Sequence, residues 1–274
     1  MTDEPQGGSP SFTWTTVDLE AAIGVLADVT DEHQEVTVLT DEELVALDGL
    51  QHDQIVPTPW LDEQEFGRAE LGGIALRGLI ARGLVALAPK VTPEGEVLDE
   101  LELTATGEIT GALMLRRTAQ AILRLEKQSN AGTRWIYCYV HAGRGVLIED
   151  IDPNGLHVFG ATTVPGAAEY VRALINFSDA SGAVSKPVTY TTAEFESLER
   201  EPEPFSGAEG IGIIGVYQQD TDRAATAVVY AGPERLGLLI PSDNGTYEVS
   251  GITDARLREV LLSALTVDGP ADSS

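Results

Sequence analysis

Apolar and polar positions alternate along much of the second half of the chain, and this period of two predicts β-strands. Residues 134–140 place aromatic side chains on one side and smaller apolar ones on the other: Trp135, Tyr137 and Tyr139 against Ile136, Cys138 and Val140. Further strands are expected over residues 145–151, 156–159, 225–230, 236–240 and 247–249, with a buried glycine-rich strand over 210–217. Turn sequences such as Asp152-Pro153-Asn154-Gly155 separate these strands.

The first half instead carries apolar residues at helical spacing. The pattern predicts helices over residues 18–29, 40–50, 65–83 and 111–127, and in the second half one helix opened by Pro165 and another capped by Asp254. In the helix over 65–83, Ile74, Leu79 and Ile80 are expected on the buried face. Short strands are expected over residues 12–16, 85–88 and 100–104.

Two segments of the second half look alike. Residues 144–148 (RGVLI) and 236–240 (LGLLI) each lead through an Asn-Gly turn to a strand and then a helix, about 90 residues apart. This pattern predicts an α+β fold in which an antiparallel sheet is flanked by helices. We expect one domain over residues 11–267 with two β-β-β-α halves, about 11–180 and 181–267, and flexible tails at 1–10 and 268–274.

The net charge of −27 comes from 44 acidic and 17 basic residues and is concentrated near the N-terminus. The first 67 residues contain 16 Asp and Glu and neither Lys nor Arg. Phosphate backbones and anionic lipids repel such a surface, so nucleic-acid and membrane partners are not expected. Because the sequence has neither a signal-peptide pattern nor an apolar segment of membrane length, a cytoplasmic location is expected.

The residues with reactive side chains form no set with catalytic or metal-ligand spacing, so neither an enzyme nor a bound cofactor or metal is expected. The four histidines share no such spacing, and Cys138, the one cysteine, is expected to be an inert core thiol. His157 is interpreted as an ordinary strand residue. Glu149 and Asp150 are interpreted as part of a solvated strand end. An enzyme of a class without a recognisable motif stays open as an alternative.

Residues 65–107 suggest another function, because their order of helix, strand, wing and strand is that of a winged helix. Such a domain places its recognition helix in the major groove of DNA. Arg68, Arg77 and Arg82 lie on the helix, but its acidic neighbours leave too narrow a basic surface for a typical DNA reader. A winged-helix regulator is therefore kept as the alternative function.

Basic residues are concentrated between positions 116 and 134: Arg116, Arg117, Arg124, Lys127 and Arg134. This segment, predicted to be largely helical, has two possible roles. It could hold an acidic partner, or its side chains could pair with the acidic first quarter of the same chain. The second role is favoured because the opposite charge is close at hand.

Four stretches, taken in order, resemble one protein family: residues 12–19 (FTWTTVDL), the helix end 79–85 (LIARGLV), the meander 135–159 with its helix at 167–175, and the terminal unit 235–247 with its helix at 255–265. This order, which covers most of the chain, is similar to that of EspG, the secretion-associated chaperones of actinobacterial type VII secretion. The resemblance lies in the pattern of elements and in no invariant catalytic residue.

The resemblance implies a quasi-two-fold fold, a central antiparallel sheet with flanking helical bundles, and no catalysis. It also implies a function: to bind the apolar tip of a helical secretion substrate, a PE–PPE pair or a WXG-like protein, and keep it soluble for export. Such binding needs an exposed apolar or aromatic patch on a rigid sheet. The candidate contacts are Trp135, Tyr137, Tyr139, Arg116, Arg117 and Arg124. The alternative, that the aromatic side chains are core, stays open.

Overall fold

The computed structural model describes residues 14–49, 54–65, 67–91, 97–198, 202–218, 221–242 and 244–266, so the predicted tails lie outside the described residues. Its helices are α1 (Thr16–Val25), α2 (Asp41–Asp48), α3 (Pro59–Asp62), α4 (Arg68–Ala81), α5 (Gly107–Thr118), α6 (Val164–Ile175), α7 (Thr192–Glu196) and α8 (Asp254–Leu265). Its strands are β1 (Gln34–Thr40), β2 (Val85–Val91), β3 (Val97–Ala105), β4 (Ala121–Ser129), β5 (Gly132–His141), β6 (Gly145–Ile151), β7 (Leu156–Thr162), β8 (Val188–Thr191), β9 (Gly210–Gln218), β10 (Thr221–Ala231), β11 (Leu236–Ser242) and β12 (Thr246–Ile252).

Ten of these strands form one antiparallel sheet in the order β1-β7-β6-β5-β4-β9-β10-β11-β12-β8. In the middle β4 pairs with β9, and Leu125 lies opposite Ile214. Four strands lie on each side of this pair, and the chain enters α6 after β7 and α8 after β12. The strands β2 and β3 form a separate hairpin. The expected class, a large antiparallel sheet with several helices, is confirmed.

One face of the sheet, which we call the α6/α8 face, is packed against those two helices across both sides of the central pair. Alternate residues of the strands supply its buried side, including Leu123, Leu125, Ile136, Cys138, Ile148, Ile214, Val229 and Leu238. The helices contribute Val171, Ile175, Leu257, Leu261 and Leu265. In β5 the side chains of Ile136, Cys138 and Val140 pack on this face, and those of Trp135, Tyr137 and Tyr139 pack on the opposite face. The predicted split of β5 into an aromatic and an aliphatic side is therefore confirmed.

The opposite face is covered unevenly. Over β5, β6 and β7 it packs against α1, α2, α4 and α5, where Tyr139, Leu147 and Phe159 are fully buried. Over β10, β11 and β12 the cover is a short 3-10 turn, Glu203–Phe205, together with aromatic side chains from β8 and α7. There the Phe205 ring stacks on that of Tyr230 with centroids 3.9 Å apart.

The predicted helix over 111–127 is wrong in its second half. The helix α5 ends at Thr118, and residues 121–129 form β4, which lies between β5 and β9. Both edges of this segment are paired, and Leu123 and Leu125 are buried against α6 and α8. A strand in that position satisfies backbone groups on both sides and buries alternate side chains, which outweighs the local helical spacing.

Three smaller differences from the sequence-based expectations remain. Within the predicted strand 12–16, residues 14 and 15 are not in a strand and Thr16 begins α1, because the Thr15 side chain caps that helix. The strand β1 was not predicted at all. On α4 the side chains of Ile74 and Ile80 are exposed and Leu79 is fully buried, so the buried stripe is narrower than the apolar pattern suggested.

Candidate partner-binding site

On the face opposite α6 and α8, β4 and β9 lie between the helices that cover β5–β7 and the smaller cover over β10–β12, with Val228 of β10 packed against the Phe205 cluster. The register places Trp135, Glu126, Ile213 and Val228 side by side across β5, β4, β9 and β10. The next row consists of Tyr137, Arg124, Gly215 and Thr226. We call the surface formed by Arg124, Glu126, Trp135, Ile211, Ile213, Tyr217, Thr226 and Val228 the central face.

The central face mixes aromatic and aliphatic side chains with one ion pair. Tyr217 is 48% exposed, Thr226 is also exposed, and Trp135 and Ile213 are half-buried. The Tyr217 ring lies beside Gly215, where an added Cβ would stand 3.3 Å from the ring. The strands beneath are held in register on both edges and packed on the other face, so this surface is rigid.

The ion pair of the central face is local to β4. Arg124 Nη2 donates to Glu126 Oε2 at 2.8 Å, and Gln128 Nε2 donates to Glu126 Oε1 at 2.8 Å. All three side chains lie on one side of the strand because their positions differ by two. The Arg124 side chain is 37% exposed, which leaves its charge within reach of solvent.

Next to this face, a buried network of charged groups holds α2 and α5 on the sheet. His157 on β7 binds Glu149 of β6 through Nδ1 and Asp41 of α2 through Nε2, each at 2.7 Å. All three side chains are fully buried. The backbone N–H of Leu61 donates to the second oxygen of Asp41 at 2.9 Å, so both oxygens of that carboxylate are bonded.

The network continues from Glu149 to α5. Arg116 Nε and the Tyr139 hydroxyl both donate to Glu149 Oε2, at 2.8 Å and 2.6 Å. Asp48 of α2 lies 3.7 Å from Arg116 Nη1 and pairs with Arg117. With His157 protonated, three carboxylates face three cations, and the buried charge is balanced.

The charges in the network determine its protonation states. Burial would raise the pKa of Glu149, but the Arg116 guanidinium and the bond from His157 outweigh burial and lower this pKa to about 2. Burial likewise opposes a charged His157, yet its bonds to Asp41 and Glu149 raise its pKa above the ordinary value. Burial and the neighbouring Glu149 raise the pKa of Tyr139, so its hydroxyl stays a donor. The geometry therefore favours an imidazolium between two carboxylates.

Local sequence explains how α2 reaches the sheet. Thr40 caps the helix in a capping box with Glu43, which places Asp41 in the first turn. Gly155, in the turn before β7, has φ +75°, and an added Cβ there would lie 2.5 Å from an Asp41 carboxylate oxygen. His157 lies in a strand, as expected, but it is not an ordinary strand residue, because its buried ring binds two carboxylates. The solvated strand end is wrong, because Glu149 and Asp150 are buried and Arg134 binds Asp150 with two hydrogen bonds.

The six candidate contact residues do not lie together. Tyr139 and Arg116 are fully buried in the network, and Tyr137 is buried, with a pKa that burial raises to about 12. Arg117 is half-buried and pairs with Asp48. Of the six, Trp135 and Arg124 lie on the central face, and contact of any of the six with a partner stays a prediction.

Other residues of the central face were not singled out from the sequence. Ile213 and Tyr217 belong to a strand that was predicted, but its pairing with β4 joins segments about 90 residues apart, and only that pairing places them beside Trp135 and Arg124. The alternation in β9 is the one sequence signal that marks Ile211, Ile213 and Tyr217 as sharing a face.

Among the described residues, no group of three or more His, Cys, Asp and Glu side chains could hold a metal ion. The described helices are all too short or too polar to cross a membrane. Cys138 is buried, and burial raises the pKa of its thiol, as expected for an inert core cysteine.

No protein-family model matches the sequence, and no curated protein matches it. The fold is similar to that of the Mycobacterium tuberculosis type VII secretion system chaperone EspG5, whose structure was solved in complex with a PE25–PPE41 dimer. The two chains superpose with a TM-score of 0.52 and 7% identity, over 84% of this chain and 95% of the other. At this identity the likeness shows an EspG-like fold and no more.

Proposed function

We propose that this protein is a cytoplasmic chaperone or adaptor that binds a helical type VII secretion substrate, a PE–PPE pair or a WXG-like protein, and keeps it soluble for export. The observation that carries the proposal is an open aromatic and apolar sheet face within an EspG-like fold. The work of such a protein is binding, so no catalytic group is needed and we propose that it is not an enzyme.

The central face has the properties that a docking surface needs. Aromatic and aliphatic side chains are clustered, as in the core of a protein interface, and the exposed polar side chain of Gln128 stands at the edge. A rigid surface loses little conformational freedom on binding, which favours affinity. We place the partner over β4, β9 and β10, between the helices above β5–β7 and the smaller cover above β10–β12.

We further propose that the two halves of the chain are a quasi-two-fold repeat within one domain. In each half four strands lead into a helix, β4–β7 into α6 and β9–β12 into α8, and β4 and β9 meet in the middle. Each half also has an outer strand that leads into a short helix. In the first half β1 pairs with β7 and leads into α2, and in the second half β8 pairs with β12 and leads into α7. Both short helices begin with a threonine capping box. A boundary near residue 180 fits this division.

The charge distribution also favours a protein partner. Arg116 and Arg117 pair with the acidic first quarter through Asp48, so these two cations are occupied inside the fold.

The alternative functions have less support. In the winged-helix alternative, α4 and the β2–β3 hairpin do follow the expected order, but Arg82 pairs with Glu43 at 2.6 Å. That leaves the helix a weaker candidate for phosphate contacts. The buried network offers no enzyme site either, because its central side chains have no exposed surface.

Co-expression tests the proposal. The chain is produced with neighbouring PE–PPE or WXG-type gene pairs, and complexes are sought by gel filtration. One complex should form, and Thr226→Arg, which places a charge on the central face, should abolish it. The matched control is Thr189→Arg, an exposed threonine of β8 on the other face of the sheet. If no pair binds, or if both variants bind equally well, the proposal is wrong.

A further inference from the structure

The Arg124 guanidinium has unused hydrogen-bond donors in the centre of the candidate site. Of its five N–H groups, the described residues take up one, through Glu126 at 2.8 Å. Its Nε is buried and has no hydrogen-bond partner among the described residues. The side chain lies between Tyr137 of β5 and Gly215 of β9 in the register.

Glu126 takes up one of these donors. Its Oε2 accepts from Arg124 and its Oε1 from Gln128, so the carboxylate is shared between two donors. Arg124 therefore keeps donors beyond this ion pair. An acceptor from a partner would use the donors that remain on Arg124, and a carboxylate would form the strongest, charge-assisted hydrogen bonds with them.

When a partner docks, the Arg124 guanidinium needs a hydrogen-bond acceptor more than it does in the free protein. A partner that covers Trp135, Ile213 and Tyr217 removes water from the guanidinium between them. A charged group that loses water without gaining an acceptor costs binding energy, and a carboxylate that meets it in the fork geometry of arginine offsets that cost. The best complement is therefore apolar contact around one carboxylate.

We propose that the partner presents an Asp or Glu side chain to Arg124 from within an otherwise apolar contact surface. This inference rests on the proposed function, since it describes the partner of the same face. The overall charge of −27 limits the partner further: a broadly acidic surface would be repelled, so the carboxylate stands among neutral or basic groups. Arg124 is then the residue that sets specificity at the centre of the contact.

The experiment is calorimetric titration with the PE–PPE or WXG-type pair that co-purifies with the wild-type chain. Arg124→Met should weaken binding by about 30-fold or more, because the carboxylate of the partner is left buried and unpaired. Arg124→Lys should lie between this variant and wild type, since it keeps the charge and loses the fork. The control is Arg256→Met, an exposed arginine of α8 that pairs with Glu259, which should change the affinity by less than about fivefold.

Glu126→Gln provides a second, independent test. It frees Arg124 from its ion pair, so binding should stay equal or become tighter. If this variant weakens binding tenfold while Arg124→Met does not, the partner supplies a cation and the inference is wrong. If the wild type binds and Arg124→Met binds as well as the control, the inference fails and the proposed function stands. If the wild type binds no pair, both are overturned.

Discussion

The buried charge network makes its sharpest prediction at His157. Replacement by leucine leaves Asp41 and Glu149 each without one bond of 2.7 Å in a site with no exposed surface. Removal of one partner from a buried ion pair costs about 3–5 kcal/mol, and His157 serves two carboxylates. Since domains are stable by about 5–15 kcal/mol, His157→Leu should lose a large fraction of the free energy of unfolding.

The effect should depend on pH in a defined direction. The pKa of His157 is raised in the folded protein, so its stabilisation is complete below the unfolded value of 6.5 and is lost as the pH rises through the folded pKa. The difference in unfolding free energy between wild type and His157→Leu should therefore be largest at pH 6.5 and below, and it should shrink as the pH rises above that value. Urea unfolding followed by circular dichroism, repeated at half-unit steps of pH, measures it.

His141→Leu is the matched control. His141 is also buried, but its ring bonds only a backbone carbonyl, that of Leu115 at 3.1 Å, and burial lowers its pKa. His141→Leu should lower the free energy of unfolding by about 1 kcal/mol. Because the pKa of His141 is lowered, its contribution to stability should grow as the pH rises toward 6.5, whereas that of His157 falls with rising pH. A loss below about 1 kcal/mol for His157→Leu, or equal pH slopes for the two variants, would refute the ion-pair account.

Three further outcomes follow from single sites. Gly155→Ala should destabilise by about 2–4 kcal/mol, because the added Cβ meets a carboxylate at 2.5 Å, whereas Gly143→Ala, at φ +70° in open space, should cost about 1 kcal/mol in the same urea assay. Cys138 should resist iodoacetamide in the native protein and react only in denaturant, as followed by mass spectrometry, since burial raises the pKa of its thiol. Ile74→Lys should change stability by less than about 0.5 kcal/mol, while Leu79→Ala should cost about 2–5 kcal/mol; equal losses would contradict the observed orientation of α4.

Strand alternation predicted the sheet well. In β5 the aromatic and aliphatic sets lie on opposite faces as expected, and the glycine-rich segment 210–217 lies within β9. The helical interpretation of residues 121–127 failed because a central strand that packs on two neighbours can show apolar residues at spacings that also fit a helix. Ile74 is exposed although it fits the apolar pattern of α4. The pattern of apolar residues therefore does not show how wide a stripe of the helix is packed against the fold.

The candidate site was predicted only in part, for a reason of sequence distance. Trp135 and Arg124 were singled out, but Tyr217 reaches them through the pairing of β4 with β9. The network around His157 joins positions 116 residues apart, so no local pattern could have placed Asp41 beside it. Arg116 was a candidate contact from the sequence, but it is buried in the fold, where it pairs with Glu149, 33 residues later in the chain.

The central claim is that the face of β4, β9 and β10 contacts a helical partner. Photo-crosslinking tests it most directly, with benzoylphenylalanine in place of Tyr217, which is 48% exposed on that face, and at Thr189 as the control. In cells that co-express the partner pair, illumination should join the partner to the Tyr217 variant and leave the Thr189 variant free. A crosslink at Thr189 without one at Tyr217 would contradict the account.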